Sequence, residues 1–283
     1  MAPKPDSHFL PEIWSLFTIG SLWVVMRFAV RLRVVGLYGL QIDDGFAFIA
    51  LFCWAVIIAG IHCTYFTHTS IDYGPDEVWA LTPSEVKAVS WGTKFYIITL
   101  YAYITMVFSL KAMVIILYRR LASEPWQKKL LNFTIFLCVA GWTATNLMLS
   151  LMCLPYNRRW VVQPLPPEDC TASPRFFILL SCLNATTDLF LLAIPVPILW
   201  TLRIPLRKRI GVFVLLSSGI FVMAACITRV VLTVVPGITV SIIARWGARE
   251  LSIALIAVNS AALRPSKFPL SFLRLHTSHI SFP

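Results

Sequence analysis

Charge is what this sequence has least of. Only 13% of its 283 residues are Asp, Glu, Lys or Arg, while 58% are hydrophobic. That balance excludes an ordinary soluble globular domain. Acid is scarcer than base, with 13 Asp and Glu against 24 Lys and Arg. Histidine is scarce too, at 5 residues. Of these, His62 and His68 have no partner at a metal-ligand spacing. No Gly-x-Ser-x-Gly, His-Glu-x-x-His or phosphate-loop pattern occurs, so catalysis has no visible carrier and an enzyme is not expected. The 7 cysteines contain no Cys-x-x-Cys pair, which argues against zinc-ribbon and thioredoxin-type chemistry. No metal site or cofactor is expected. No internal repeat is obvious, and no stretch is left over for a separate soluble domain.

What the chain has instead is long apolar runs. A hydrocarbon core of about 30 Å requires roughly 20 apolar residues of helix. Six strong runs meet this: Ile13–Val30, Gly45–Phe66, Phe95–Tyr118, Leu130–Cys153, Phe176–Trp200 and Ile210–Val235. A weaker seventh, Ser241–Leu263, carries Arg245, Arg249 and Glu250. The first run reads as a retained helix and not a cleaved signal, since Arg27 follows its apolar stretch without a small-x-small site. The expected fold is all-α, a polytopic bundle of seven transmembrane helices. Residues 1–12 would form a short extracellular N-terminus, 13–263 the bundle and 264–283 a short cytoplasmic tail. A layout of six spans plus a re-entrant or interfacial segment stays open. In the seven-span layout Arg245 and Arg249 are expected to snorkel to the headgroups.

The basic excess is unevenly placed. With an external N-terminus, one side collects Arg31, Arg33, Arg119, Arg120 and the 207–209 cluster among others, and outnumbers the opposite side in Lys and Arg. Most acids (Asp6, Glu12, Asp72, Asp76, Glu77, Glu85, Glu168, Asp169) fall on the other side and offset its cations. Positive-inside bias therefore puts the N-terminus outside and the C-terminus in the cytoplasm. The basic clusters then face anionic lipid headgroups and not nucleic acid.

Four charges fall within the runs: Lys111, Asp188, Arg229 and Glu250. Ionisable groups at such depth face a protein interior and find partners. At 1.5 Å per residue, Asp188 lies about 18 Å and Lys111 about 24 Å below the outer edge of their spans. Arg229 and Glu250 come out at about 9 and 13 Å by the same rise. The lysine stem covers the difference of roughly one turn in the first case, and these depths predict two ion pairs, Lys111–Asp188 and Arg229–Glu250. Asn184, one turn before Asp188, shares its face. Other readings remain: snorkelling for Lys111 and Arg229, or a protonated Asp188 serving a proton relay.

Asp43 and Asp44 precede the second span. They suit a helix N-terminus, and Arg31 and Arg33 can neutralise them across the turn. The alternative is an inner-face latch that opens in a conformational switch. On the outer side, Cys153 and Cys170 bracket a proline-rich loop on the oxidising face, where disulfides persist. Closing that loop of about 17 residues would restrict the unfolded chain by roughly 3 kcal/mol. The cysteines within the runs behave as small hydrophobes.

Several stretches, taken in order, carry a family resemblance. They are Gly39-x-x-x-Asp43-Asp44, Lys111 leading to Tyr118-Arg119, Cys153-x-Pro155 with Trp160 and Cys170, and Asn184-x-x-x-Asp188 leading to Pro195-x-Pro197-x-x-Trp200. Arg203, Lys208 and Arg229 follow, then Trp246, Glu250 and Leu263-Arg264-Pro265. In this order the chain resembles the fungal seven-transmembrane rhodopsin-domain proteins, the Pth-like group of receptor-type membrane proteins. The resemblance implies a receptor-like integral membrane protein, placed in the plasma membrane. Together with topology it also implies a Cys153–Cys170 bridge. Retinal is not implied, because a Schiff base needs a lysine in the last helix, and 241–263 has none.

Three functions compete. A receptor-like signalling protein would bind an unknown extracellular or lipidic ligand at the outer mouth, near Trp79, Trp91 and Trp160. Its basic inner loops would face a cytoplasmic partner. No Asp-Arg-Tyr triplet closes the third run, so G-protein coupling is not asserted. A small solute or proton-coupled transporter or channel also uses buried charge, but no inverted repeat is visible. An intramembrane enzyme lacks any motif.

Overall fold

The computed structural model describes residues 7–74, 76–121, 124–167, 170, 174–194, 224, 228 and 240–262. Among them are six long helices and no strand. They are α1 (Phe9–Val35), α2 (Ile42–Thr67), α3 (Pro83–Leu121), α4 (Pro125–Leu151), α5 (Pro174–Ala193) and α6 (Val240–Ala262). The first five are long and apolar enough to cross a membrane. The last holds Arg245, Arg249 and Glu250 and is not one of those five. Of the expected span Ile210–Val235 only residues 224 and 228 are described, and the tail 264–283, Pro195, Pro197 and Trp200 lie outside the described residues.

Each described helix begins or ends where local chemistry requires. Gly36 closes α1 with φ +71°, a left-handed conformation that costs glycine little, and its N–H bonds Leu32 O. At the start of α2, the Gln41 N–H donates to the Asp44 carboxylate at 3.0 Å, a reciprocal cap. Pro125 occupies the first turn of α4, where its missing N–H is harmless.

Several helices start earlier than expected, α2 at Ile42 and α4 at Pro125 among them, and two of these shifts bear on the site. α1 begins at Phe9 and not Ile13, which draws Glu12 into its first turn. α3 begins at Pro83 and not Phe95, so much of the expected loop from Thr67 to Thr93 is helix. The cause is a capping box: the Glu85 carboxylate accepts from the Thr82 N–H at 2.8 Å, and Pro83 presets the first helical φ.

One core joins all six helices. It runs from Phe9 and Ile13 through Trp54 and Ile58, Ile104 and Met106, Leu131 and Leu149, and Phe176, to Leu251 and Leu255. Large apolar side chains also cover the outside, including Leu22, Phe52, Phe136 and Leu189. Helices apolar on both faces suit hydrocarbon surroundings. α2 and α3 share the most extensive contact, and glycine is what lets them meet. A Cβ on Gly92 would stand 1.8 Å from His68 O and 2.5 Å from Thr67 Oγ1. Cross-contacts fix directions: α1, α3, α5 and α6 run one way, α2 and α4 the other. Thus Glu12 meets Arg249 at one end while Arg27 meets Asn259 at the other, which makes α1 and α6 parallel.

Gly92→Ala is expected to lower the thermal midpoint of the purified protein by about 3–10 °C, as overpacking does. Gly45→Ala, with open space around it, should leave the midpoint unchanged or raise it. Equal effects would show that the α2–α3 contact tolerates expansion.

Candidate functional site

Asp188 points into the bundle and is 9% exposed. Its Oδ1 lies 3.0 Å from Nζ of Lys111 on α3. The same ammonium donates to the carbonyl of Asn184 at 2.8 Å and, in a short contact, to Thr187 Oγ1. The depth-matched partners thus meet, and the lysine does not snorkel. Asn184 takes part through its backbone oxygen, a role that side-chain reasoning does not foresee. Thr187 was also unforeseen; it sits one residue before Asp188 and turns its hydroxyl to the same ammonium. A buried ammonium holding three acceptors is fully satisfied.

Glu250 of α6 is buried too, at 2% exposure, and lines one cavity with Lys111, Asn184 and Asp188. Arg229, its expected partner, lies outside the described residues. Arg245 and Arg249, expected to reach the headgroups, instead meet Glu12 of α1 at 3.4 and 2.5 Å. The early start of α1 supplies that carboxylate, and a nearby partner replaces the interface as the place for both cations.

The densest charge cluster lies at the other end of α1. Arg27 is fully buried. It donates to Asp43 at 2.7 Å, to Asp44 at 3.1 Å and to the Asn259 side chain of α6 at 3.2 Å. Arg31 pairs with Asp43 at 3.2 Å and makes a short contact to Asp44. Arg120 of α3 reaches Asp43 at 2.7 Å and also bonds Gln41. Asp44 therefore caps α2 and holds α1 at once. Of the two arginines expected to neutralise these acids only Arg31 does so; Arg33 is exposed, and Arg27 and Arg120 complete the set. Two carboxylates consequently tie together α1, α2, α3 and, through Arg27, α6.

At the opposite end Cys153 and Cys170 form a disulfide, with Cα atoms 4.8 Å apart. The loop they close is packed down. Buried Arg159 donates to Leu149 O in the last turn of α4, which satisfies a carbonyl the helix cannot. Gln163 donates to Val78 O at 2.6 Å, and Val78, Val89 and Val162 form a small apolar cluster. Trp91 and Trp160 come together around one cation, with Lys94 Nζ 4.4 and 5.5 Å from their ring centres. Trp79 is exposed on the short turn Glu77–Ala80, and no described contact joins it to the other two.

The family model described as the fungal rhodopsin domain matches residues 26–267. That stretch takes in Arg27, the Asp43–Asp44 cap, the disulfide and every buried charge of the core. The chain belongs to the fungal rhodopsin domain family. A relative from Metarhizium anisopliae, the polyenoic acids biosynthesis gene cluster protein Ba17b, is 24% identical over 223 residues. The match covers 74% of this fungal rhodopsin-domain chain and 56% of that relative, so the chain spans little more than half the relative's length. No solved structure matches it.

Removing one partner of a buried pair costs about 3–5 kcal/mol, whereas removing both is far milder. Lys111→Met and Asp188→Leu should therefore each reduce the yield of monodisperse rhodopsin-domain protein, and the double variant should recover most of it. A double variant worse than either single would refute the pair. Cys153→Ser, Cys170→Ser and the double change should lower the thermal midpoint equally, because each removes the same loop constraint, roughly 3 kcal/mol.

Proposed function

We propose that this multi-pass membrane protein is receptor-like: a ligand shifts the population of two helix arrangements, and the basic end reports the change to a cytoplasmic partner. The observation that carries the reading is the cluster of Arg27, Arg31 and Arg120 on Asp43 and Asp44, with Asn259 beside it. Buried ion pairs contribute less to stability than well-packed apolar groups of equal size. A network of them that joins four helices is therefore suited to being a discrete lock, the kind of bistable element a population shift acts on. The receptor-type behaviour implied by the family resemblance supports this reading, as does the outer mouth built by the disulfide loop, Trp91 and Trp160.

In this reading the N-terminus is external, the C-terminus cytoplasmic and the membrane the plasma membrane, with no catalytic step. The ligand enters from the extracellular side or from lipid. The name of the Metarhizium relative, which ties that protein to a polyenoic acid cluster, makes a lipidic ligand the first class to try. A small-solute or proton-coupled transporter is the second reading, favoured by the buried Lys111–Asp188 pair.

Spin labels at exposed positions 33 and 119 would report the lock. In nanodiscs the wild type should give one narrow distance distribution, and Asp43→Ala a second, longer peak. An unchanged single peak would remove the lock from the proposal. Reconstituted liposomes separate the alternatives: specific solute or proton flux that Asp188→Asn abolishes would replace the receptor reading with transport.

A further inference from the structure

Near its start α3 carries Lys87, Trp91, Lys94 and Ile98 at helical spacing, so the four stand in one row. Lys87, Trp91 and Ile98 are exposed and Lys94 is half-buried, while Val89, Gly92, Thr93 and Ile97 turn inward and are buried. The apolar run of this helix opens at Phe95, which sets Lys94 at the edge of the hydrocarbon. Ile98 lies inside that edge, and Lys87 stands about 10 Å beyond Lys94 on the aqueous side. The disulfide-held loop brings Trp160 beside the row, so the Lys94 ammonium rests against two tryptophan rings.

Among the described residues no carboxylate pairs with Lys94. The acids of this end are engaged elsewhere: Glu12 by Arg249, Asp72 by Thr69, Glu77 by Gly74 and Glu85 by Thr82. Asp76 makes no described ion pair. Cations gather instead. Arg158 is exposed on the loop that carries Trp160. The buried Arg159 holds Leu149 O, and its Nε has no hydrogen-bond partner among the described residues. Tryptophan faces attract an ammonium, but its N–H groups still call for oxygen acceptors. A phosphate supplies those acceptors together with the missing charge. We propose that this row and loop hold an anionic phospholipid of the leaflet on the disulfide side. Its phosphate sits on Lys94, its headgroup points toward Lys87, and its first acyl carbons lie along Ile98. A headgroup with its own ammonium, as in phosphatidylcholine, would bring a cation toward Lys87 and Arg158, so net negative charge is selected. Tryptophan is common at a membrane interface; here it is joined by cations that no described acid neutralises. The proposal rests on the outer mouth being the ligand-facing end, as in the receptor reading. Occupancy is measured directly, so its failure leaves the inner lock to its own distance test.

The test uses the full chain in phosphatidylcholine nanodiscs doped with a phosphatidylglycerol that bears a diazirine near the start of one acyl chain. Labelled peptides are mapped by mass spectrometry. Labelling at 91–98 should saturate. Phosphatidylglycerol should displace it about ten-fold better than diacylglycerol of equal chains, the worth of one charge-assisted hydrogen bond. Lys94→Gln should remove that preference and Lys94→Arg should keep it. Arg33→Gln, exposed at the opposite end of the bundle, should leave it unchanged. Labelling that does not saturate, equal displacement by diacylglycerol, or a preference that survives Lys94→Gln would overturn the proposal. Displacement by soluble glycerol 3-phosphate would overturn it too, since the site would then take a free phosphate and not a lipid. A preference lost in Arg33→Gln would reduce it to general attraction between basic protein and anionic membrane, and would equally overturn it.

Discussion

A charge in hydrocarbon must be met by another charge or by a full set of hydrogen bonds, and this bundle is organised around that requirement. Three sites meet it at three heights. Glu12 receives Arg245 and Arg249 near one end, Lys111 and Asp188 join in the middle, and three arginines share Asp43 and Asp44 at the other end. Each joins helices distant in sequence. Apolar packing alone discriminates weakly between helix faces in lipid, since side chains and lipid tails are equally apolar. The polar contacts supply the register that the apolar faces lack.

The central pair was legible because depth can be counted. A rise of 1.5 Å per residue places Lys111 and Asp188 about one helical turn apart in depth, a gap the lysine stem covers, and a short carboxylate has nowhere else to go. The Cys153–Cys170 loop was legible from topology together with family pattern. Arg27 was not, although it is fully buried. It follows an apolar stretch where a cation normally marks the membrane edge, and α1 is apolar on all sides, so nothing in its pattern tells which face meets α2 and α6. Asn259 escaped for the same reason. The helical start at Pro83 was available in Thr82-Pro83-Ser84-Glu85, a cap signature overlooked beside the stronger hydropathy of the run that follows.

Arg245 and Arg249 teach a related lesson. Snorkelling is the default for a long cation near a helix end, but it is only one way to leave hydrocarbon. Extending α1 by one turn offers Glu12, and a fixed carboxylate within reach competes with the headgroup layer. Helix boundaries, the least certain part of a hydropathy reading, thereby decide the fate of charges on a different helix.

α3 carries a mechanical implication. Its 39 residues make a rod about 58 Å long, close to twice the hydrocarbon thickness. Lys94 at the tryptophan pair, Lys111 about three-quarters of the way along and Arg120 at the far tip all ride on this one shaft. A tilt of only 5° about its midpoint swings each tip by about 2.5 Å, about the margin between a made and a broken ion contact. A push on the aromatic cap would thus arrive at Asp43 without any intermediary.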